Sequence, residues 1–535
     1  MGGSRSTMKW LLLGAAIALA NLLVYWQTIS FAPVHLDEPQ LLSDRWQRLK
    51  AGSSFSDAFQ HDVFSAAGGV FYRPLLTLSF IADARRSGEQ FDPAPFHRSN
   101  LAIHLVNALL CFALLARLAR GAGLAAAGAL LFSLHPGLAA ASGWIPGRND
   151  ALLFTFSALA LLFLTEAARR RSAGLFVLHL VSFFLALLTK ETAVVLLPLF
   201  PAWVWAVAPD AARSGKWRFD AAAAAAGWAA CAGMYLFLRA GALAQSPANQ
   251  VPGAGDLLFR TAAYAAYVFV PVSIPVFAWF KDLSLTRVLL ADVAGLLLFA
   301  AAWWRSRNSW LLPCAVGALI LFVLPSAFSD RFLPHRLYLP TFFFALAATE
   351  VVRVSFSARR AATLAMVAVA LCLAGMTFFS LRRFKNPDVF WQDAYAASPS
   401  CGEAVYELGY AAQQHGDLAG AEKYYLKVIA ENPLILDAHN NLGIIYKQAG
   451  RYDEALRLYE EELKLAPGKA YVLGNIGNLM LAKGDCPRAI DYYKRQIAAE
   501  PGNRTTYENL AYCLQWTGNA AEAATYRRIA RTQNN

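Results

Sequence analysis

Eleven predominantly apolar runs, each close to the ~20 residues a helix needs to cross a bilayer core, constrain this chain more than any other feature. They are residues 10–31, 100–118, 124–142, 150–166, 173–189, 192–208, 221–240, 288–304, 310–328, 337–352 and 361–380. Backbone inside hydrocarbon must satisfy its own polar groups, so such runs fold as helices. Composition agrees, because 57% of the 535 residues are apolar and only 16% are charged, too few to clothe a soluble surface. The run at 10–31 is longer than a signal-peptide core and ends without a small-residue cleavage site, which predicts an uncleaved first span. Residues 261–280, interrupted by Pro271 and Pro275, are a twelfth candidate, either a full span or a re-entrant hairpin. The expected fold is all-α, with a polytopic helical membrane domain over 1–386, carrying an outer loop at 32–99, and a soluble domain over 387–535.

Charge placement orients the first seven spans. Arg5 and Lys9, Arg117 and Arg120, Arg169 to Arg171, and Arg213, Lys216 and Arg218 all fall on one side, which the positive-inside bias assigns to the cytoplasm. Residues 32–99, 144–149 and the Lys190–Glu191 turn then face outward. Beyond residue 240 the charges decide little, since twelve spans put seven basic residues inside and eleven put five. The net charge of +12 is thus loop charge, and no nucleic-acid partner is expected. Cys111, Cys231, Cys314 and Cys372 lie within apolar runs, and no CxxC or Cys/His spacing occurs, so neither a zinc site nor haem is expected.

From about Pro387 the composition turns soluble and an internal period appears. Pro399, Pro433, Pro467 and Pro501 are each 34 residues apart. Gly409, Gly443 and Gly477 keep step, followed by Ala511, as do Gly416, Gly450, Gly484 and Gly518. So do Ala421, Ala455, Ala489 and Ala523, with Tyr425, Tyr459 and Tyr493. Small residues let two helices approach, glycine turns the chain between them and proline ends the second, so each unit reads as a helical hairpin stacked on the next. The pattern resembles about four tetratricopeptide repeats over residues 402–533, with residues 388–397 as a half-unit cap against the membrane domain. Such arrays hold peptides or proteins in a concave groove, which implies a protein partner. Cys401, Cys486 and Cys513 read as small core residues, and an oxidising compartment would permit a Cys486–Cys513 bridge.

Ionisable groups recur at the outward ends of the spans, where they are costly to hold near lipid and tend to line a substrate pathway. Asp37 and Glu38 follow the first span, and the same face holds Tyr72 and Arg73, His97, Asn100 and His104, Arg148 to Asp150, and Lys190 with Glu191. Arg336 and Tyr338 join them if their loop is also outside. Plainer readings exist for several of these. The histidines suit helix packing, Tyr72-Arg73-Pro74 could seat an interfacial helix, and Lys190-Glu191 could be a structural ion pair.

Taken in order, the acidic pair Asp37-Glu38, Tyr72-Arg73-Pro74-Leu75, the helix start at His97 to Asn107, His135-Pro136, Trp144 to Asp150, Lys190-Glu191, Arg336 to Pro340 and Trp391 resemble the transmembrane and tetratricopeptide-repeat O-mannosyltransferases of the GT-C glycosyltransferase superfamily. The family's Glu shortly after His-Pro is absent, since residues 137–141 read GLAAA. The resemblance implies a multi-pass protein of a bacterial inner membrane, with active site and repeats on the periplasmic face, and it favours eleven spans. It implies transfer of a mannose-like hexose from a polyprenyl-phosphate donor to a protein hydroxyl. No other cofactor is implied, and a divalent metal is left open. The chemistry needs a base for the acceptor hydroxyl, assigned to Asp37, with Glu38 and Asp150 as further acidic groups. It also needs cations for the leaving phosphate, assigned first to Arg336, then to Arg148 and Lys190. Tyr72, Arg73, His97, Glu191 and Tyr338 complete the expected substrate-binding set. A single displacement inverts the anomeric centre. Transfer to a lipid-linked glycan, en bloc oligosaccharide transfer, and a non-catalytic scaffold or transporter are the competing readings.

Overall fold

The computed structural model describes residues 2–34, 42, 49–50, 55–60, 71–119, 121–208, 221–242, 252–305, 309–356 and 358–532. Asp37 and Glu38 lie outside the described residues. The chain divides into two compact units, Met1–Asp393 and Ala394–Asn535.

The first unit is helical almost throughout. Among the described residues, eight helices are long and apolar enough to cross a membrane, or nine if the bent pair Ala122–Ser133 and Pro136–Gly143 counts as one span. The two remaining apolar runs fold as the shorter helices Ala173–Thr189 and Glu191–Val207. At 1.5 Å per residue such helices reach about 25 Å, somewhat short of the ~30 Å hydrocarbon layer. Residues 261–280 do not form one helix. The helix Ala254–Phe269 stops ahead of Pro271, and Ala278–Trp279 then pairs antiparallel with Arg331–Phe332.

Two breaks in the first unit interrupt its helices. The 52° bend falls at His135-Pro136, where proline removes a helical N–H and its ring clashes with the preceding turn. His135 secures the bend: Nδ1 accepts from the Gly137 amide at 3.0 Å, and Nε2 lies 3.1 Å from the Val268 carbonyl oxygen. After Gly143 the chain extends at Trp144, makes the short turn Ile145–Gly147 and starts the helix Arg148–Arg170. A Cβ on Gly147 would stand 2.7 Å from the Ala140 carbonyl oxygen and 2.8 Å from the Ala141 Cα. Only glycine permits this backbone approach, which delivers Arg148, Asn149 and Asp150 at the helix start.

The second unit is four helical hairpins: Gly402–Gln414 with Leu418–Glu431, Ala438–Gln448 with Tyr452–Leu465, Ala470–Ala482 with Cys486–Ala499, and Arg504–Trp516 with Ala520–Thr532. Each repeated column has a local cause. Gly443 and Gly477 lie against Tyr459 and Tyr493, where a Cβ would come within 2.6 Å of the ring. Gly416, Gly450, Gly484 and Gly518 turn the chain between paired helices with φ of +81°, +76°, +75° and +86°. Ala421, Ala455, Ala489 and Ala523 are fully buried. Cys486 and Cys513 are buried, free thiols with sulfurs 2.9 Å apart.

Candidate functional site

The first unit contains a cavity of about 390 Å³ whose lining brings together residues distant in the sequence. Arg73 comes from the residue capping the helix Pro74–Ala84, Asp150 from the first turn of Arg148–Arg170, and Lys190 and Glu191 from the junction after Ala173–Thr189. Arg336 and His335 come from the turn Pro334–Leu337. The rest of the wall is largely apolar, including Leu76, Leu153, Phe322 and Leu339.

The charged residues divide into pairs and one remainder. Lys190 Nζ contacts both Asp150 oxygens, at 2.7 and 2.8 Å, and both side chains are buried. Arg73 grips Glu191 with two nitrogens, at 2.6 and 3.1 Å. Lys190 and Glu191, adjacent in sequence, therefore do not pair with each other. Burial by itself would raise the Glu191 carboxyl, but the Arg73 guanidinium outweighs it and holds the group down at about 2. Burial lowers Lys190, and the Asp150 carboxylate opposes that shift. His335 Nε2 lies 3.7 Å from Asp150 Oδ2. Arg336 donates from Nη1 to the Ser326 carbonyl at 3.1 Å, and among the described residues no carboxylate stands within ion-pair distance of it. Among the described lining residues, three cations therefore face two carboxylates, and the charge left over belongs to Arg336.

Arg148 does not line this cavity, which corrects its assignment to the phosphate. It is fully buried, 2.6 Å from Asp83, and donates to Asn100 Oδ1 and the Phe96 carbonyl at 2.6 Å each. Its charge and donors are consumed in tying the helix Arg148–Arg170 to the helices Pro74–Ala84 and Ala94–Leu118. Tyr338, Tyr72 and His97 also lie off the cavity lining. Tyr338 OH is 2.8 Å from His104 Nδ1 and accepts from Asn107 at 3.1 Å, a buried interhelical link. Tyr72 packs near Tyr235, with ring centroids 6.0 Å apart, and His97 stands edge-on to Phe31 at 6.2 Å.

Two participants were not singled out from the sequence. Asp83 sits among Ala82, Ala84, Arg85 and Arg86 and reads there as a solvated acid. Its spacing from Leu76 and Phe80, at seven and three residues, places it on the buried stripe of a short helix, and that was the available signal. His335 directly precedes Arg336, and no local pattern marks it. Among the described residues, no three His, Cys, Asp or Glu side chains are grouped to hold a metal ion.

Residues 391–434 and 406–470 match the family model described as tetratricopeptide repeat. Solved structures of MamA share the likeness at low identity. The one titled MamA MSR-1 C2 is 24% identical over 24% of this chain and 75% of that chain, with a TM-score of 0.23. A second, titled Crystal structure of MamA, is 19% identical over 29% of this chain and 88% of that chain, with a TM-score of 0.25. No curated protein matches the chain. A helical domain of membrane-span character followed by tetratricopeptide repeats is the architecture of this protein.

Proposed function

We propose that the chain is a glycosyltransferase of the GT-C kind, moving a mannose-like hexose from a polyprenyl phosphate to a hydroxyl of a protein acceptor. The observation that carries this reading is the cavity with one unbalanced cation, Arg336, beside two ion pairs. A glycosyl polyprenyl phosphate is a phosphodiester with one negative charge, and one guanidinium balances it. A diphosphate-linked oligosaccharide donor would bring a second charge with no further uncommitted cation among the described lining residues.

In this reading the acceptor oxygen attacks the anomeric carbon as the bond to the phosphate oxygen breaks, inverting that centre. The leaving phosphate gathers charge, and a preorganised guanidinium in a site with largely apolar walls stabilises it more than water would. Lys190 and Arg73 are neutralised by Asp150 and Glu191 and hold the elements of the cavity wall together. Asp37 takes the acceptor proton in this scheme. The reading includes placement in a bacterial inner membrane, with the cavity and the repeats on the periplasmic face. Tetratricopeptide repeats as a class bind proteins, which suits them to recruit the acceptor.

The test is transfer from a panel of labelled polyprenyl-phosphate monosaccharides in membranes carrying the wild-type chain or Asp37→Asn. Label entering protein with the wild type and not with the variant is expected. No transfer from any donor would return the protein to the scaffold or transporter reading, and equal transfer by both would remove Asp37 as the base.

A further inference from the structure

A pair of cysteines in the second unit has no part in the proposed transfer. Cys486 opens the helix Cys486–Ala499 of the third hairpin, and Cys513 lies in the helix Arg504–Trp516 of the fourth. They are 27 residues apart in the chain, yet their sulfurs stand 2.9 Å apart, about 0.9 Å beyond the length of a disulfide bond. Both side chains are buried, at 2% and 0% exposure, in the core that the hairpins share. The repeat period shows what these positions carry at the other joints. One period earlier they are Tyr452 and Leu479, and two periods earlier Leu418 and Ile445. Those joints hold large apolar side chains where the third holds two small ones, and a smaller side chain buries less apolar surface. A covalent bond between the two sulfurs offsets that loss, and neither cysteine alone could supply it.

We propose that Cys486 and Cys513 are joined as a disulfide in the mature protein, tying the third hairpin to the fourth. The inference rests on the periplasmic placement of the repeats in the proposed function, because disulfides persist in oxidising compartments. The oxidant is a protein or small-molecule disulfide. One cysteine thiolate attacks it, forming a mixed disulfide and expelling one thiol. The second cysteine thiolate then attacks the chain's own sulfur, which closes the Cys486–Cys513 bond and expels the other thiol. Two protons and two electrons pass from the cysteine pair to the oxidant, which ends as two thiols. Neither sulfur is exposed in the folded unit, so the exchange takes place while the two hairpins are still open. The finished bond limits the unfolded chain by a closed loop and holds the joint that lacks the large apolar pair.

The experiment uses the whole chain in bacterial membranes, lysed under denaturing conditions in excess alkylating reagent so that every free thiol is capped at once. Proteolytic peptides are then mapped with and without reductant. Cys486 and Cys513 are expected to escape capping together and to appear as one cross-linked peptide pair that reductant separates. In Cys513→Ala, Cys486 should become capped, and a Cys486 that still escapes has a different partner, which would overturn the pair. The side of the repeats is read in parallel, by digesting spheroplasts with a protease that cannot cross the inner membrane. Repeats that are digested, with both cysteines capped in the wild type, would overturn the disulfide and leave the placement standing. Repeats that are protected, with both cysteines capped, would overturn the placement and the disulfide with it. A cross-linked pair in protected repeats would keep the bond and remove the placement.

Discussion

Arg148 and Arg336 have the same side chain in two regions of one unit, and they are used in opposite ways. Arg148 is buried against Asp83, with its remaining donors taken by Asn100 and Phe96. Arg336 lines the cavity and meets a neutral carbonyl. A buried arginine with a carboxylate and carbonyls around it is part of the scaffold, whereas one left beside neutral groups at a cavity keeps its charge for a ligand. Motif position alone does not separate the two, because Arg148 opens a helix after a short turn and Arg336 lies in the short turn that leads into one.

The comparison breaks most visibly at Arg148. Arg148→Met takes the closest cation from the buried Asp83, which keeps Ser99 at 2.6 Å and the exposed Arg86 at 3.3 Å, so the cost lies toward the lower end of the about 3–5 kcal/mol for breaking a buried pair. Little folded protein should accumulate, as judged by size-exclusion profiles of detergent extracts. A variant that folds normally and only loses transfer would show that Arg148 serves substrate after all.

Lys190 with Asp150 occupies the middle ground, buried like Arg148 yet on the cavity like Arg336. Asp150→Leu alone leaves Lys190 uncompensated and should lower stability by a few kcal/mol, while Asp150→Leu with Lys190→Met should recover most of that loss. Thermal melts of the single and double variants measure the recovery, and no recovery would mean that the two charges do not act as a pair.

Arg73 with Glu191 is the weaker pair, since the Glu191 side chain is 35% exposed and solvent screens it to about 1 kcal/mol. Its pH dependence has a definite sign. The folded carboxyl sits at about 2, below its ordinary value of 4.5, so the contribution is full above the ordinary value and fades as pH falls through about 2. Glu191→Gln should flatten that part of the acid unfolding curve, and an unchanged acid limb would remove the pair from the account. Arg336→Gln should cost least, within about 0.5 kcal/mol, because no carboxylate is left behind. A large loss of stability there would place Arg336 with Arg148 in the scaffold.

How much of this was legible depended on how far apart the contacting residues lie. The repeats were readable because each column answers to a contact inside one hairpin: Gly443 meets Tyr459, and Gly450 turns the chain between them. The apolar runs were readable as helices for the same local reason. One departure traces to a proline, the bend of the run at 124–142 at Pro136, while the break in 261–280 falls just ahead of Pro271, one of the two prolines that mark it in the sequence. The cavity pairs join positions far apart, with Arg73 and Glu191 separated by 118 residues, so the participants could be singled out as ionisable groups at span ends but their pairing could not. Arg148 was assigned by its motif, while its buried partner, Asp83, was not singled out. Asp37 and Glu38 lie outside the described residues.

The central claim is that the uncommitted cation of the cavity meets the phosphate of a glycosyl donor, and its most direct test is sugar transfer by Arg336→Gln beside the wild type at equal amounts of folded protein. A loss of about a hundredfold in turnover is predicted, the scale of removing one preorganised donor from a developing anion, with the melting temperature unchanged. Wild-type turnover in Arg336→Gln would contradict the account.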